Sequence, residues 1–412
     1  MDSRGSGGEV MSEQVTTMQA IFSLLPEKTN HPCWVHLSSI APPSSKQELW
    51  KYTRTGRIIQ YAWKLSSNLG HNGPAVMKDG VGRVVIVNGN YRPESTILPE
   101  GVTISVSAEP YQPHTPEHFF EALSFVYSTC VLDIHVDQHA IIDGLIHIEY
   151  HHNDQDVFSA PVIRINAGNH SHVKFVEHFL ETSSACLHIR NLKVTAEASS
   201  KVHIDKIQSG GTNSFVMNED RITLAAGAEF RINTMTVSGN WTRNMLHISL
   251  MGSGAVAHLN GFYAPCDSEF IDNHTCVYHA VPHCESHELY KGLLSGASTG
   301  VFNGRIHVEK DAQKTNAYQS NANLLSGTEA KMYTKPELEI YADDVKCSHG
   351  TTTGQIDEEA LFYLKARGLS HERAAQLLSE AFFAEIIEGT ATEEVAAHVV
   401  KLLAKRGIVQ PA

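Results

Sequence analysis

Apolar residues recur at every second position in short runs through most of this chain. Val84 to Val87, Leu145 to Tyr150, Val162 to Ile165, Val173 to Phe179, Arg221 to Leu224, Phe230 to Asn233 and Leu246 to Leu250 are the clearest cases, each closed by Gly, Asn, Asp or Ser. A period of two predicts strands, and Asn88-Gly89-Asn90 predicts a tight turn after the first of them. Around Ala226-Gly227-Ala228 and Gly252-Ser253-Gly254 the pattern echoes itself at an offset of about 27 residues, close to the repeat length of a solenoid. A coil of that kind cannot bury its apolar side alone, so stacking would create the core. The strand spacing fits a β-sandwich equally well.

The period changes at both ends. Residues 1–10 read as a polar, flexible tail and 11–80 as a helical domain in two segments. Ser12 would cap a helix carrying Val15, Met18, Ile21, Phe22 and Leu25 before Pro26. Ser45 to Leu65 would form the second, with Leu49, Tyr52, Ile58 and Ile59. A short helix is expected within 117–128, around Phe119, Leu123 and Val126. The β region is expected over 81–345 and a helical domain over 346–412. There Leu361, Phe362 and Leu364 share one side of a helix. Ala374, Leu377, Leu378, Ala381, Phe382 and Ile386 line the next, behind Ser370 as cap. A last helix starts at Thr392 with Glu393 and Glu394 in its first turn, turns Val395, Val399, Leu402 and Leu403 inward, and stops at Gly407. Such stripes serve either core packing or a partner's groove.

Composition narrows the function. The 412 residues are 42% hydrophobic and 19% charged, as in a globular protein. A formal net charge of −13 argues against a nucleic-acid partner. No apolar run approaches the ~20 residues of a membrane helix, and the N-terminus shows neither a signal-peptide core nor an Arg-rich transit pattern. Seven scattered cysteines, an odd number, fit reduced thiols in a cytoplasm better than a disulfide framework. Phosphate-cradling, dinucleotide and HExxH zinc motifs are all missing. Gly296-Ala-Ser298-Thr-Gly300 matches a nucleophile elbow in letters only, because a turn and strand follow where a helix is needed. His274, Cys276, His279, His283, Cys284 and His287 form the densest potential ligand group. Alternation along a strand keeps all six from converging, which favours an ordinary outer surface. Cys347 and His349 follow an alternating strand, Leu338, Ile340 and Ala342, and then Gly350. Two apart at a strand end, a thiol and an imidazole can meet iron; the plainer reading is a buried turn cysteine and a capping histidine.

The stretch Pro336 to Gly350, with Gly354, Asp357, Leu361 to Leu364, Arg367 and Gly368, resembles the C-terminal signature of the SufB/SufD family, scaffold subunits of SUF iron–sulfur assembly. Leu49 to Thr53, Val87 to Tyr91, Leu98 to Val102, His274 to Val281, Gly300 to Gly304 and Asn323 to Leu325 extend the resemblance over nearly the whole chain. Gly350, where SufB-like chains carry Glu, places it on the SufD side. The resemblance implies a mainly β fold, a right-handed parallel β-helix core flanked by N- and C-terminal helical domains. It implies a non-catalytic scaffold that pairs with SufB through the β cores and holds the ATPase SufC through C-terminal helices. A homodimer in isolation is compatible with it. Leu361, Phe362, Leu364, Arg367, Leu377, Leu378, Phe382 and Ile386 would serve the docking. His349, with Cys347 as a weaker companion, would meet iron or a nascent cluster shared with SufB, and no cofactor would stay bound to this chain alone. In that scheme, closure of two SufC subunits distorts the SufB–SufD interface. The competing reading is a β-helix carbohydrate-active or metal-dependent enzyme.

Overall fold

A computed structural model describes residues 24–59, 61–68, 70, 77, 80–108, 110–180 and 184–410. The strands alternate between two sheets. One runs from the hairpin Gly80–Val87 and Asn90–Tyr91 to Lys346–Gly354; the other runs from Val102–Val106 to Lys331–Ile340. Beyond the antiparallel pairings at the start of each sheet, every neighbour is parallel, with register shifts only at Gly80/Gly82, Ile141/Leu145 and Gln208/Ser209 among the described residues. Partners in one row, Val202, Phe230, Ala257, Ser286, Ala317 and Cys347, advance by one coil each. This is a parallel β-solenoid of about eight turns, not a sandwich. The repeat echo is one such coil: Phe230 pairs with Ala257, and Gly227 and Gly254 occupy equivalent corners at φ +65° and +76°. At Gly252 a Cβ would lie 2.0 Å from the Ala226 amide nitrogen, so only glycine lets adjacent corners stack. Asn88 and Gly89, both at positive φ, make the first hairpin turn.

The interior is apolar toward the N-terminal coils, with Ile204, Ile232 and Leu259 in one buried row. Charge nevertheless enters it. Arg190 pairs inside with Glu177 at 3.1 Å and with Asp220, Lys206 also holds Asp220, and the Tyr150 hydroxyl donates to Glu177 at 2.6 Å. Burial pushes the Asp220 carboxyl up, but the two cations outweigh it and hold the group below its ordinary range.

Two sets of residues cover the outer faces. Val395, Val399 and Leu403 of the last helix, with Phe383 and Ile386, bury Ile207, Met235, Val237 and Phe262 of the first sheet. The Phe262 and Phe383 rings sit 4.7 Å apart. The hairpin of helices is fastened by Asn233, which donates to Gly389 O at 2.9 Å, by Asp205, which accepts from the Ala391 amide at 2.7 Å, and by the Arg406–Glu269 pair at 2.8 Å. Ser370 and Thr392 cap the two helices as their sequence predicts, accepting from Arg373 N and Val395 N. On the second sheet, the buried helix Phe119–Val126 packs with Trp50, Trp63, Phe215 and Trp241.

Two expectations change, and a third falls outside the described residues. The first N-terminal segment falls on residues outside the described set apart from Leu25 and Pro26. The long helix over 45–65 is replaced by a 3-10 turn Glu48–Trp50 and one helical turn Gly56–Ile59. Here Trp50 and Thr53 are buried against Arg243 and Asp272 of the solenoid, and Trp63 packs on Phe215 while donating to the Ile58 carbonyl. Finally, strand pairing continues through Lys346–Gly354, nine residues past the boundary expected at 345, so Cys347 and His349 lie within a strand instead of a turn. The parallel ladder to Asn316–Ser326 fixes the backbone of both residues.

Candidate functional site

Both sheets end at the same place. Lys346–Gly354 closes one and Lys331–Ile340 the other, and neither has a further neighbour among the described residues. On the preceding strand Ala317, Gln319, Asn321 and Asn323 are buried while their alternates are not. In-register pairing sets Cys347 beside Ala317 and His349 beside Gln319. The thiol and the imidazole therefore belong to the inward-facing row of a coil with nothing stacked on it. Cys347 is partly buried against the core, which raises its thiol pKa, and His349 is exposed. The structure brings these two together as the sequence suggests, on an open coil end that the sequence did not reveal.

Beneath His349 the row continues with Gln319 and then Glu288. Gln319 Nε2 donates to Glu288 Oε2 at 2.7 Å. Burial raises the Glu288 carboxyl to about 7, with the Gln319 donor pulling the other way. Sequence reasoning missed this polar row. Alternation reveals two faces but not which one is inside, and a glutamate is normally assigned outside.

The docking residues separate into two groups. On the helix Glu358–Ala366, Phe362 is 73% exposed and Tyr363 56%. Leu361 and Leu364 are partly buried, and Arg367 stacks on Tyr363 at 5.0 Å. On His371–Glu388 the buried positions are Ala374, Ser379, Phe383 and Ile386. Leu377, Leu378 and Phe382 are partly buried, with the Lys291 ammonium 5.6 Å from the Phe382 ring, and Ala381 is exposed. The predicted stripe is thus turned: Phe383 is fully buried against Phe262, Phe382 lies at the edge of the same face beside Lys291, and Ile386 lies inside, out of a partner's reach.

The six-residue His/Cys group does not converge. His274 is buried beside Asp272 at 2.8 Å, His279 bonds Ser286 inside at 2.9 Å, and His287 stacks on His258 outside. Among the described residues no cluster of three or more His, Cys, Asp or Glu could hold a metal ion. The element Trp50-Lys-Tyr52-Thr53 is an anchor. Trp50 lies 4.1 Å from the Arg243 guanidinium, Tyr52 stacks on Tyr333 at 4.2 Å, and Thr53 donates to Asp272, the buried partner of Arg243. No described helix is long and apolar enough to cross a membrane.

The structure is thus a stacked parallel β-solenoid with helices packed on its outer faces. The family described as SUF system FeS cluster assembly, SufBD core domain, matches residues 150–382. The iron–sulfur cluster assembly protein SufD of Escherichia coli is 30% identical over 380 residues, covering 88% of this chain and 89% of its own. Protein ABCI7 of Arabidopsis chloroplasts is 30% identical over 205 residues, 50% of this chain and 43% of its own. SufD of Bacillus subtilis is 24% identical over 303 residues, 70% and 67% respectively. The chain belongs to the SufB/SufD family of SUF iron–sulfur cluster assembly proteins.

Proposed function

We propose that this chain is a SufD-type scaffold without turnover of its own, with iron or a nascent cluster as its cargo. Its final coil would pair with a SufB-type subunit, and its exposed C-terminal helix would receive the ATPase SufC. The observation that carries this reading is the terminal strand, where Cys347 and His349 sit on the inward row of an unpaired edge. A free strand edge is a template for another strand. A borderline imidazole ligand placed there can share one metal with a ligand from across the interface. Motion of the ATPase would reach the solenoid through the Asn233–Gly389, Asp205–Ala391 and Arg406–Glu269 links, which tie the helices to the sheet as one body.

His349→Ala should leave folding and complex formation intact, because an exposed side chain carries little packing. It should sharply reduce cluster formation on the complex, followed by iron and sulfide analysis, and Cys347→Ser should matter less. An H349A complex that assembles clusters at the wild-type rate removes the ligand role.

For SufC docking, the exposed pair Phe362 and Tyr363 is the sharper probe. Substituting both by Ala should weaken capture of SufC by about 2 kcal/mol, roughly thirtyfold. Stability should stay within about 0.5 kcal/mol. Unchanged capture would move the docking surface elsewhere. Truncation after about residue 355 is less clean, since it would strip the cover from Val237 and Phe262.

A further inference from the structure

Glu288 stands apart from the other carboxylates inside this solenoid. Asp220 is held by Arg190 and Lys206, and Glu177 by Arg190. Glu288, 4% exposed, has no ion pair among the described residues, and its neutral donor is the Gln319 amide. That amide has a place only because residue 304 is glycine: a Cβ there would come within 2.2 Å of Gln319 Nε2. Gln319 Oε1, on the other side of the amide, is buried with no partner. The row Glu288, Gln319, His349 thus runs from an uncompensated acid to the open coil end, over two strand spacings of roughly 10 Å.

We propose that Glu288 is a positioning residue for cation capture, releasing its proton to solvent when a cation seats on the final coil. This inference rests on the reading of His349 as a ligand at that end. The physical argument is charge compensation. A buried acid with no cation beside it holds its proton to higher pH than an exposed one. A positive charge arriving along the same dry row favours the ionised form, and the low-dielectric interior lets the attraction act over more than one coil. The carboxylate then leaves the end coil with one positive charge less to repel. Other ionisable groups that face this part of the interior are Tyr290 on the same strand, His279 beside Ser286, and the Asp220–Lys206–Arg190 set deeper down. Burial keeps Tyr290 protonated and His279 neutral, and the deeper set is already balanced.

The test is anaerobic isothermal titration of the full chain with Co(II) at pH 7, in two buffers of unlike ionisation enthalpy, which counts protons released. Wild type should release about half a proton more than Glu288→Gln, since a group titrating near 7 is half protonated there. The Gln variant is isosteric with the neutral acid. Should it fail to fold, Gln319→Met provides the opposite sign. Loss of that amide removes the 2.7 Å bond favouring the carboxylate, so more protons should be released. Equal release by variant and wild type, or no Co(II) binding by wild type, overturns the inference. His349→Ala separates the two ideas. If it binds Co(II) as wild type does while the Glu288→Gln difference persists, the ligand reading falls and Glu288 keeps its role.

Discussion

Asp220→Ala should lose on the order of 3–5 kcal/mol of stability, read as a lowered midpoint in urea. The substitution leaves Lys206 without its counter-charge and Arg190 with Glu177 alone, all of them buried. Removing one member of a buried ionic set costs more than removing the set, because the remaining charge stays out of water uncompensated. Lys206→Met in the Asp220→Ala background should therefore recover part of the loss. An Asp220→Ala protein within about 1 kcal/mol of wild type would mean water reaches this interior.

Mild acid should loosen the C-terminal helices before it threatens the buried ion pairs. His178, on the covered sheet, meets His398 of the last helix at a ring distance of 4.9 Å. Its Nε2 faces the Ser209 hydroxyl at 3.2 Å, and Nδ1 is buried without a partner. Burial, then His398, lower the His178 pKa to about 3, with His151 and His147 in the same sense and Glu149 against. His152 is likewise lowered to about 3 by burial. Both are lowered relative to an unfolded value near 6.5, so their stabilising contribution is complete above that pH and is lost as pH falls below it. At pH 5 each would cost about 2 kcal/mol. Asp220 and Asp272, held low by their cations, protonate only at much lower pH, so between 6.5 and 5 the histidines act against Glu288, whose raised carboxyl gains stability as it takes up its proton and offsets about one of them. Thermal melts at pH 7.5 and 5.0 check this. A flat profile would sink it, and His178→Asn should flatten the slope.

Local signals that agree with the tertiary structure were legible. The glycine corners at 227 and 254 betrayed the coil, because both take φ above +60°, a conformation that glycine adopts far more readily than residues with a side chain. Ser370, Thr392 and Gly407 marked helix ends through hydrogen bonds that depend on neighbours alone. What the sequence hid depends on distant partners. Phe382 and Phe383 are equal in hydropathy, and only the position of Phe262 decides which turns inward. Ser348 and Gly350 suggested a turn, while Thr351, Thr352 and Thr353, three β-branched residues in succession, carried the strand signal. Of the candidate site, the pair Cys347 and His349 was readable. The open coil and the acid beneath it were not, since neither leaves a mark on local pattern.

The anchor at Trp50 and Thr53 sets a schedule for synthesis. Thr53 meets Asp272 across 219 residues, and Arg243 reaches back to the Leu49 carbonyl across 194. At about 5–20 residues per second, a ribosome needs on the order of 10–45 s to produce the second partner after the first. During that interval the coils can stack one on another as they emerge, each needing only its predecessor. The Trp50 segment can meet Phe120 early in that interval, but its contacts with Arg243 and Asp272 must close after the coils that carry them, so this anchor is completed late.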